Sequence, residues 1–172
     1  MDIKEENGYL VSLNILTSRY ARLSVSNQME RSAEMPARIY VADDEPVLLN
    51  ALVKRLSHSQ HQVKAFKSGD ELLAEVEKGL PDLPDLILLD LKMPGRTGLE
   101  ILEALRAKAR DAVVIILTSY GTVEEAVEAM KLGAYDFIIK TVDLQLVEPV
   151  VNRALEHIAL RRQVANASKA GH

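Results

Sequence analysis

The chain has 172 residues, of which 48% are hydrophobic, so it can bury the core of one ordinary domain and still carry extensions. The absence of cysteine excludes disulfides, thiolate metal sites and a cysteine nucleophile, and it favours a reducing compartment, the cytoplasm by default. A net charge of −4, with only five tyrosines and two phenylalanines, argues against direct binding of DNA or RNA. No apolar run approaches the length of a membrane helix.

The first 35 residues are polar and lack the pattern of strands separated by turns. We expect a weakly ordered extension there, because any short helix that these residues formed on their own would be marginally stable in water. Met35 stands just before the first strand, so a wrongly assigned start, with translation beginning at Met35, is an open alternative. Residues 36–157 form the predicted domain, and residues 158–172 form a predicted C-terminal helical extension or tail.

From Arg38 onward, short aliphatic runs alternate with longer amphipathic ones. This alternation is typical of repeated β-α units around a parallel sheet. The predicted strands are residues 39–42, 63–66, 86–90, 113–118 and 137–140. The third run has four aliphatic residues before Asp90 and ends at a Pro-Gly pair, which predicts a central strand that is buried on both faces.

Capping residues mark the helix starts between these strands. Pro46 suits the first position of a helix, and three capping boxes are predicted, in which a hydroxyl and a carboxylate satisfy free amide groups reciprocally. The boxes are Ser68 with Glu71, Thr97 with Glu100, and Thr122 with Glu125. Asp143 is a candidate cap of the last helix. Pro149 would fall inside that helix, so we predict a kink or a restart there.

Polar side chains follow four of the predicted strands. The first strand is followed by Asp43-Asp44-Glu45, the third ends at Asp90, the fourth at Thr118 and the fifth at Lys140. Carboxyl ends of parallel strands meet at one edge of the sheet, where ligands bind in open α/β folds. Converging carboxylates repel each other unless a cation is present, and oxygen ligands alone suit Mg²⁺. Each residue could instead be a helix cap or a surface charge, but their joint placement favours a site.

These motifs resemble those of receiver domains from bacterial two-component response regulators, especially enhancer-binding transcription regulators. The resemblance covers about Arg38 to His157. It rests on the acidic pair after the first strand, on Asp90 within Asp-Leu-Lys-Met-Pro-Gly, on Thr118 after Val-Val-Ile-Ile-Leu and on Lys140 after Phe-Ile-Ile. It implies a flavodoxin-like, doubly wound α/β fold with a five-stranded parallel sheet in the order 2-1-3-4-5. It also implies a signalling phosphoprotein rather than an enzyme.

The resemblance implies that Asp90 accepts a phosphoryl group from a phosphohistidine on a sensor histidine kinase or a histidine phosphotransfer protein. Mg²⁺ would be bound by Asp44, Asp90 and the backbone carbonyl of Lys92, with Asp43 acting through water. Thr118 and Lys140 would hold the phosphoryl oxygens.

The resemblance also implies how the signal is kept and passed on. Phe137 would turn inward as Thr118 moves, and the large residues Lys92 and Tyr120 would shield the acyl phosphate so that self-dephosphorylation is slow. Because no effector domain follows in this sequence, we expect output through a partner. A phosphorylation-dependent homodimer through the fourth helix, fifth strand and fifth helix is one hypothesis.

One residue departs from the family pattern, since Thr141 stands where the family usually has proline after the lysine. A cis bond before a non-proline residue is costly, so we expect a trans bond and an altered loop. An Mg²⁺-dependent phosphatase with an aspartate nucleophile is an alternative function, but the Asp-x-Asp spacing of that class is absent. A nucleotide-binding domain would need a glycine-rich loop where Asp-Asp-Glu-Pro stands.

Overall fold

The structure is a computed structural model that describes residues 36–140 and 144–171. In these ranges five strands alternate with five helices. The strands are β1 Arg38–Ala42, β2 Gln62–Phe66, β3 Leu86–Asp90, β4 Val113–Thr118 and β5 Asp136–Ile139. The helices are α1 Pro46–Ser57, α2 Gly69–Glu77, α3 Gly98–Lys108, α4 Val123–Lys131 and α5 Val147–Ala170. The predicted strands are confirmed to within one residue at each end, and Lys140 falls just beyond β5.

All five strands pair in parallel in the order β2-β1-β3-β4-β5, which confirms the predicted sheet. Successive residues of β3 point to opposite faces of the sheet. Ile87 and Leu89 join a core with α2 and α3, whereas Leu86 and Leu88 join a core with α1 and α5. This double covering explains why the strand is apolar at every position before Asp90.

The helix starts follow the predicted capping chemistry, with one exception. Pro46 opens α1, and the boxes that begin α3 and α4 are reciprocal. The box before α2 is only half formed. Ser68 accepts from the Glu71 amide, but the Glu71 carboxylate accepts from the backbone N–H of Lys67 at 2.9 Å instead of from that of Ser68.

Of the kink or restart predicted at Pro149, the kink is wrong, because the helix begins only two residues before the proline. Helix α5 begins at Val147, so Pro149 lies in its first turn, where a backbone N–H has no partner within the helix. The proline therefore removes no hydrogen bond, and α5 continues to Ala170. The predicted cap Asp143, the Lys140–Thr141 loop and the N-terminal extension lie outside the described residues.

Helix α5 runs past His157 without a break and stays in contact with the domain. Ile158 is buried in the core, and Arg162 pairs with Asp85 at 2.5 Å, just before β3. Arg161 donates a hydrogen bond to the carbonyl of Asp111, before β4. We name this contact between α5 and the amino-terminal edge of the sheet the arginine clamp. The domain boundary at residue 157 stays a prediction.

None of the helices in residues 36–140 and 144–171 combines the length and apolarity that crossing a membrane requires.

Candidate functional site

Asp90 ends the central strand and is buried, with 4% of its surface exposed. Burial raises the pKa of its carboxyl from 3.8 to about 6, because a charged group is costly away from water. The ammonium of Lys140 opposes this rise in pKa, whereas the carboxylate of Asp43 adds to it. The backbone N–H of Lys92 donates to Asp90 Oδ1 at 3.4 Å and also favours the ionised form.

Two further acids from the β1–α1 connection face Asp90. One oxygen from each of Asp43, Asp44 and Asp90 lies within 4.8 Å of the other two. Asp43 is buried and Asp44 is exposed, so the cluster opens to solvent on one side. An all-carboxylate donor set with an open side fits Mg²⁺, which prefers oxygen ligands and keeps several waters.

Lys140 is held in the site rather than in solvent. Its side chain is 5% exposed, and Nζ lies 2.6 Å from Asp43 Oδ2 and 3.4 Å from Asp90 Oδ2. A buried ammonium offsets part of the repulsion between two buried carboxylates, which accounts for its inward position. It also places a cation beside the oxygen atoms of Asp90.

Thr118 is buried at the end of β4, but its hydroxyl is engaged within its own loop. Thr118 Oγ1 donates to the carbonyl of Tyr120 at 3.0 Å and accepts from the N–H of Tyr120 at 3.4 Å. Phe137, on the neighbouring strand β5, is half-buried and packs against the core on the α2–α3 side. The structure thus places these two predicted residues side by side without joining Thr118 to Asp90.

The two residues expected to shield the site are an exposed side chain and a side chain paired with α4. Tyr120 is 79% exposed, and Lys92 Nζ lies 3.7 Å from Glu125 Oε1 on α4. Shielding of the acyl phosphate by these two side chains stays a prediction.

Gly98, the first residue of α3, has a packing role that was not predicted from the sequence. A Cβ there would lie 2.5 Å from the backbone carbonyl oxygen of Asp90, so only glycine lets α3 approach the loop that carries the acid. A glycine at a helical position where stronger helix formers are favoured is the signal that could have revealed it.

A doubly wound domain with buried acids and a buried lysine at the carboxyl edge of its sheet defines the class of receiver-like α/β signalling modules. A family model described as the response regulator receiver domain matches residues 39–152. The chain therefore belongs to this family of two-component signalling domains, and nothing in the match supports the phosphatase alternative.

Similar proteins agree with this assignment. The regulatory protein AtoC of Escherichia coli is 29% identical over 77% of this chain, and the DNA-binding transcriptional regulator NtrC of Salmonella typhimurium is 30% identical over 74%. The chain spans only 28% and 27% of those relatives. The crystal structure of the response regulator TrrA of Thermotoga maritima with Mg²⁺-BeF has a TM-score of 0.61 at 29% identity, covering 70% of this chain and 99% of that one.

Proposed function

We propose that this chain is the phosphoacceptor of a two-component system or phosphorelay and that Asp90 takes the phosphoryl group. The observation that carries the proposal is the buried Asp90 carboxylate, with the Lys140 ammonium at 3.4 Å and two further carboxylates around it. A carboxylate oxygen of Asp90 would attack phosphorus, and the bond from phosphorus to the donor histidine would break. The leaving imidazole nitrogen retains the electron pair of that bond, and the product is an acyl phosphate.

We assign a metal role to Asp43, Asp44, Asp90 and the backbone carbonyl of Lys92, because three of these groups already converge. When bound, Mg²⁺ would neutralise charge that builds up on the transferring phosphoryl group. This fits the TrrA structure, which contains Mg²⁺ with BeF.

Lys140 and Thr118 would hold the phosphoryl oxygens by charge-assisted hydrogen bonds. Lys140 Nζ would turn from Asp43 towards the new group, which would be attached to the Asp90 carboxylate 3.4 Å away. Thr118 must first release the Tyr120 carbonyl, and this release is the movement that would pass the signal on to Phe137.

The donor would be a sensor histidine kinase or a histidine phosphotransfer protein, and we propose that the reaction takes place in the cytoplasm without a separate enzyme. Output would pass to a partner or through a homodimer. The matched segment itself would not contact nucleic acid, although NtrC is a DNA-binding regulator. Lys92 and Tyr120 would slow the loss of the phosphoryl group by keeping water from it.

Incubation with acetyl phosphate and Mg²⁺, followed by intact mass measurement, tests the proposal. We expect the mass of one phosphoryl group on the wild type, none with EDTA and none on Asp90→Asn. Asp111→Asn is the matched control, because Asp111 precedes β4 at the opposite edge of the sheet. Equal phosphorylation of Asp90→Asn would refute the assignment.

A further inference from the structure

Gly121, in the loop between β4 and α4, lies against both predicted switch residues. A Cβ at this position would lie 2.7 Å from Phe137 Cζ, 2.8 Å from Phe137 Cε1 and 2.9 Å from Thr118 Cγ2. Real Cβ atoms essentially never make contacts under 3.0 Å, so a side chain here cannot coexist with the present positions of Thr118 and Phe137.

The backbone of Gly121 does not itself require glycine. Its φ angle lies outside the left-handed region, unlike those of Gly79, Gly95 and Gly133. Alanine is therefore compatible with the local backbone, and the obstacle to a side chain is the space taken by the Phe137 ring and the Thr118 methyl group. Such overlap is removed only when one of the packed groups moves.

The position of Gly121 connects it to both ends of the proposed switch. Gly121 follows Tyr120, whose carbonyl and N–H hold the Thr118 hydroxyl. Its other neighbour, Thr122, is the N-cap of α4. The Phe137 ring therefore contacts the same short loop whose Tyr120 carbonyl Thr118 must release.

We propose that Gly121 is a positioning residue of the Thr118–Phe137 switch. Its missing side chain leaves the space in which the Phe137 ring lies against Thr118, and any larger residue forces the ring out of that space. This inference rests on the proposed function for its consequence in signalling, but the steric relation holds in the unmodified protein. The Gly121→Ala variant is therefore expected to keep Phe137 outward whether or not Asp90 is modified.

The two phenylalanines of the chain make a direct measurement practical. Fluorine NMR of fluorophenylalanine-labelled protein should give one signal from Phe137 and one from the buried Phe66, assigned with Phe66→Leu. In Gly121→Ala, a soluble paramagnetic agent should relax the Phe137 signal faster than in the wild type, and the Phe66 signal should be unchanged. Gly171→Ala is the matched control, because the nearest atom to its added Cβ is 3.8 Å away.

Beryllofluoride with Mg²⁺ then tests the link to the switch. It should shift the Phe137 signal in the wild type and in Gly171→Ala, and this shift should be lost in Gly121→Ala. Absence of the shift in the wild type would count against the proposed function. The inference about Gly121 would still be decided by the paramagnetic relaxation of the Phe137 signal in the ligand-free protein. Unchanged exposure of Phe137 in Gly121→Ala would overturn the inference about Gly121, because the loop would then have moved instead of the ring.

If the Gly121→Ala protein folds poorly, its stability can be compared in two backgrounds, the wild type and Phe137→Leu. If the Phe137 ring is the obstacle, Gly121→Ala should lower the urea midpoint much less in a Phe137→Leu background than in the wild type. An equal loss of stability in both backgrounds would contradict the proposal, because the defect would then lie in the loop itself.

Discussion

Burial of the Asp90 carboxylate lowers the stability of the folded protein at neutral pH. The Asp90 carboxyl has a folded-state pKa of about 6 against 3.8 for the free group, so the folded protein binds this proton more tightly than the unfolded chain does. The contribution of Asp90 to the free energy of unfolding is therefore greatest below pH 4 and declines as the pH rises through about 6. Above that pH the buried charge opposes folding.

We therefore predict that Asp90→Asn has a higher melting temperature than the wild type at pH 7.5 in EDTA. The amide keeps the shape of the carboxyl and removes the charge that burial and Asp43 disfavour. Mg²⁺ should raise the melting temperature of the wild type and have less effect on the variant, because binding to the folded state alone stabilises it. Thermal unfolding with and without Mg²⁺ measures both effects. Asp111→Asn serves as the control, and a variant less stable than the wild type in EDTA would contradict the prediction.

The charged residues of the candidate site were predictable because each follows a strand whose position its apolar run reveals. The rule that parallel strands end at one edge of the sheet was enough to predict that Asp43, Asp90 and Lys140 lie close together. The direction of the Thr118 hydroxyl was not predictable, since it depends on the conformation of the loop as far as Tyr120. The contact of Gly121 with Phe137 joins two elements and leaves no local pattern in the sequence.

Helix α5 shows where sequence patterns stop being informative. The residue at which α5 starts decides whether Pro149 breaks the helix or lies in the first turn, where it removes no hydrogen bond. The spacing of apolar residues does not locate that start. The arginine clamp was not predictable either. No local pattern marks Arg161 and Arg162 as structural contacts, yet their side chains reach the amino-terminal edge of the sheet.

We predict that Arg162→Ala lowers the free energy of unfolding by about 1 kcal/mol, since the pair with Asp85 is mostly shielded from water. Amide exchange in the last turns of α5 should also become faster, because this contact holds the helix end to the domain. Urea unfolding and hydrogen exchange measure the two effects.

Arg153→Ala is the matched control on the same helix. Its pair with Asp136 is longer, at 3.5 Å, and more exposed, so its loss should cost little. Equal losses of stability and equal changes in amide exchange for the two substitutions would show that the arginine clamp does not stabilise the end of α5.

Within the described residues, the site and the arginine clamp lie at opposite edges of the sheet, and a separate set of exposed apolar side chains lies on its β5 side. This surface comprises exposed side chains of α4, β5 and the start of α5, namely Val123, Val127, Met130, Ile139 and Leu146. We call it the α4–β5–α5 face. Phe137 lies on β5, and Gly121 lies in the loop that leads into α4, so a change at Asp90 would reach this face through packed contacts. Further along α5, Leu160 and Val164 are also exposed.

We predict that beryllofluoride with Mg²⁺ shifts the protein from monomer to dimer through the α4–β5–α5 face at tens of micromolar, which sedimentation velocity would show. Exposed apolar groups gain most from mutual burial, so Val127→Glu should prevent the shift by leaving a charge in the contact. Leu80→Glu is the control, because Leu80 is another exposed apolar residue and lies between α2 and β3, away from this face. If both variants dimerise like the wild type, the contact lies elsewhere. A wild type that stays monomeric while Asp90 still accepts a phosphoryl group would mean that output proceeds by docking of the α4–β5–α5 face on a different protein.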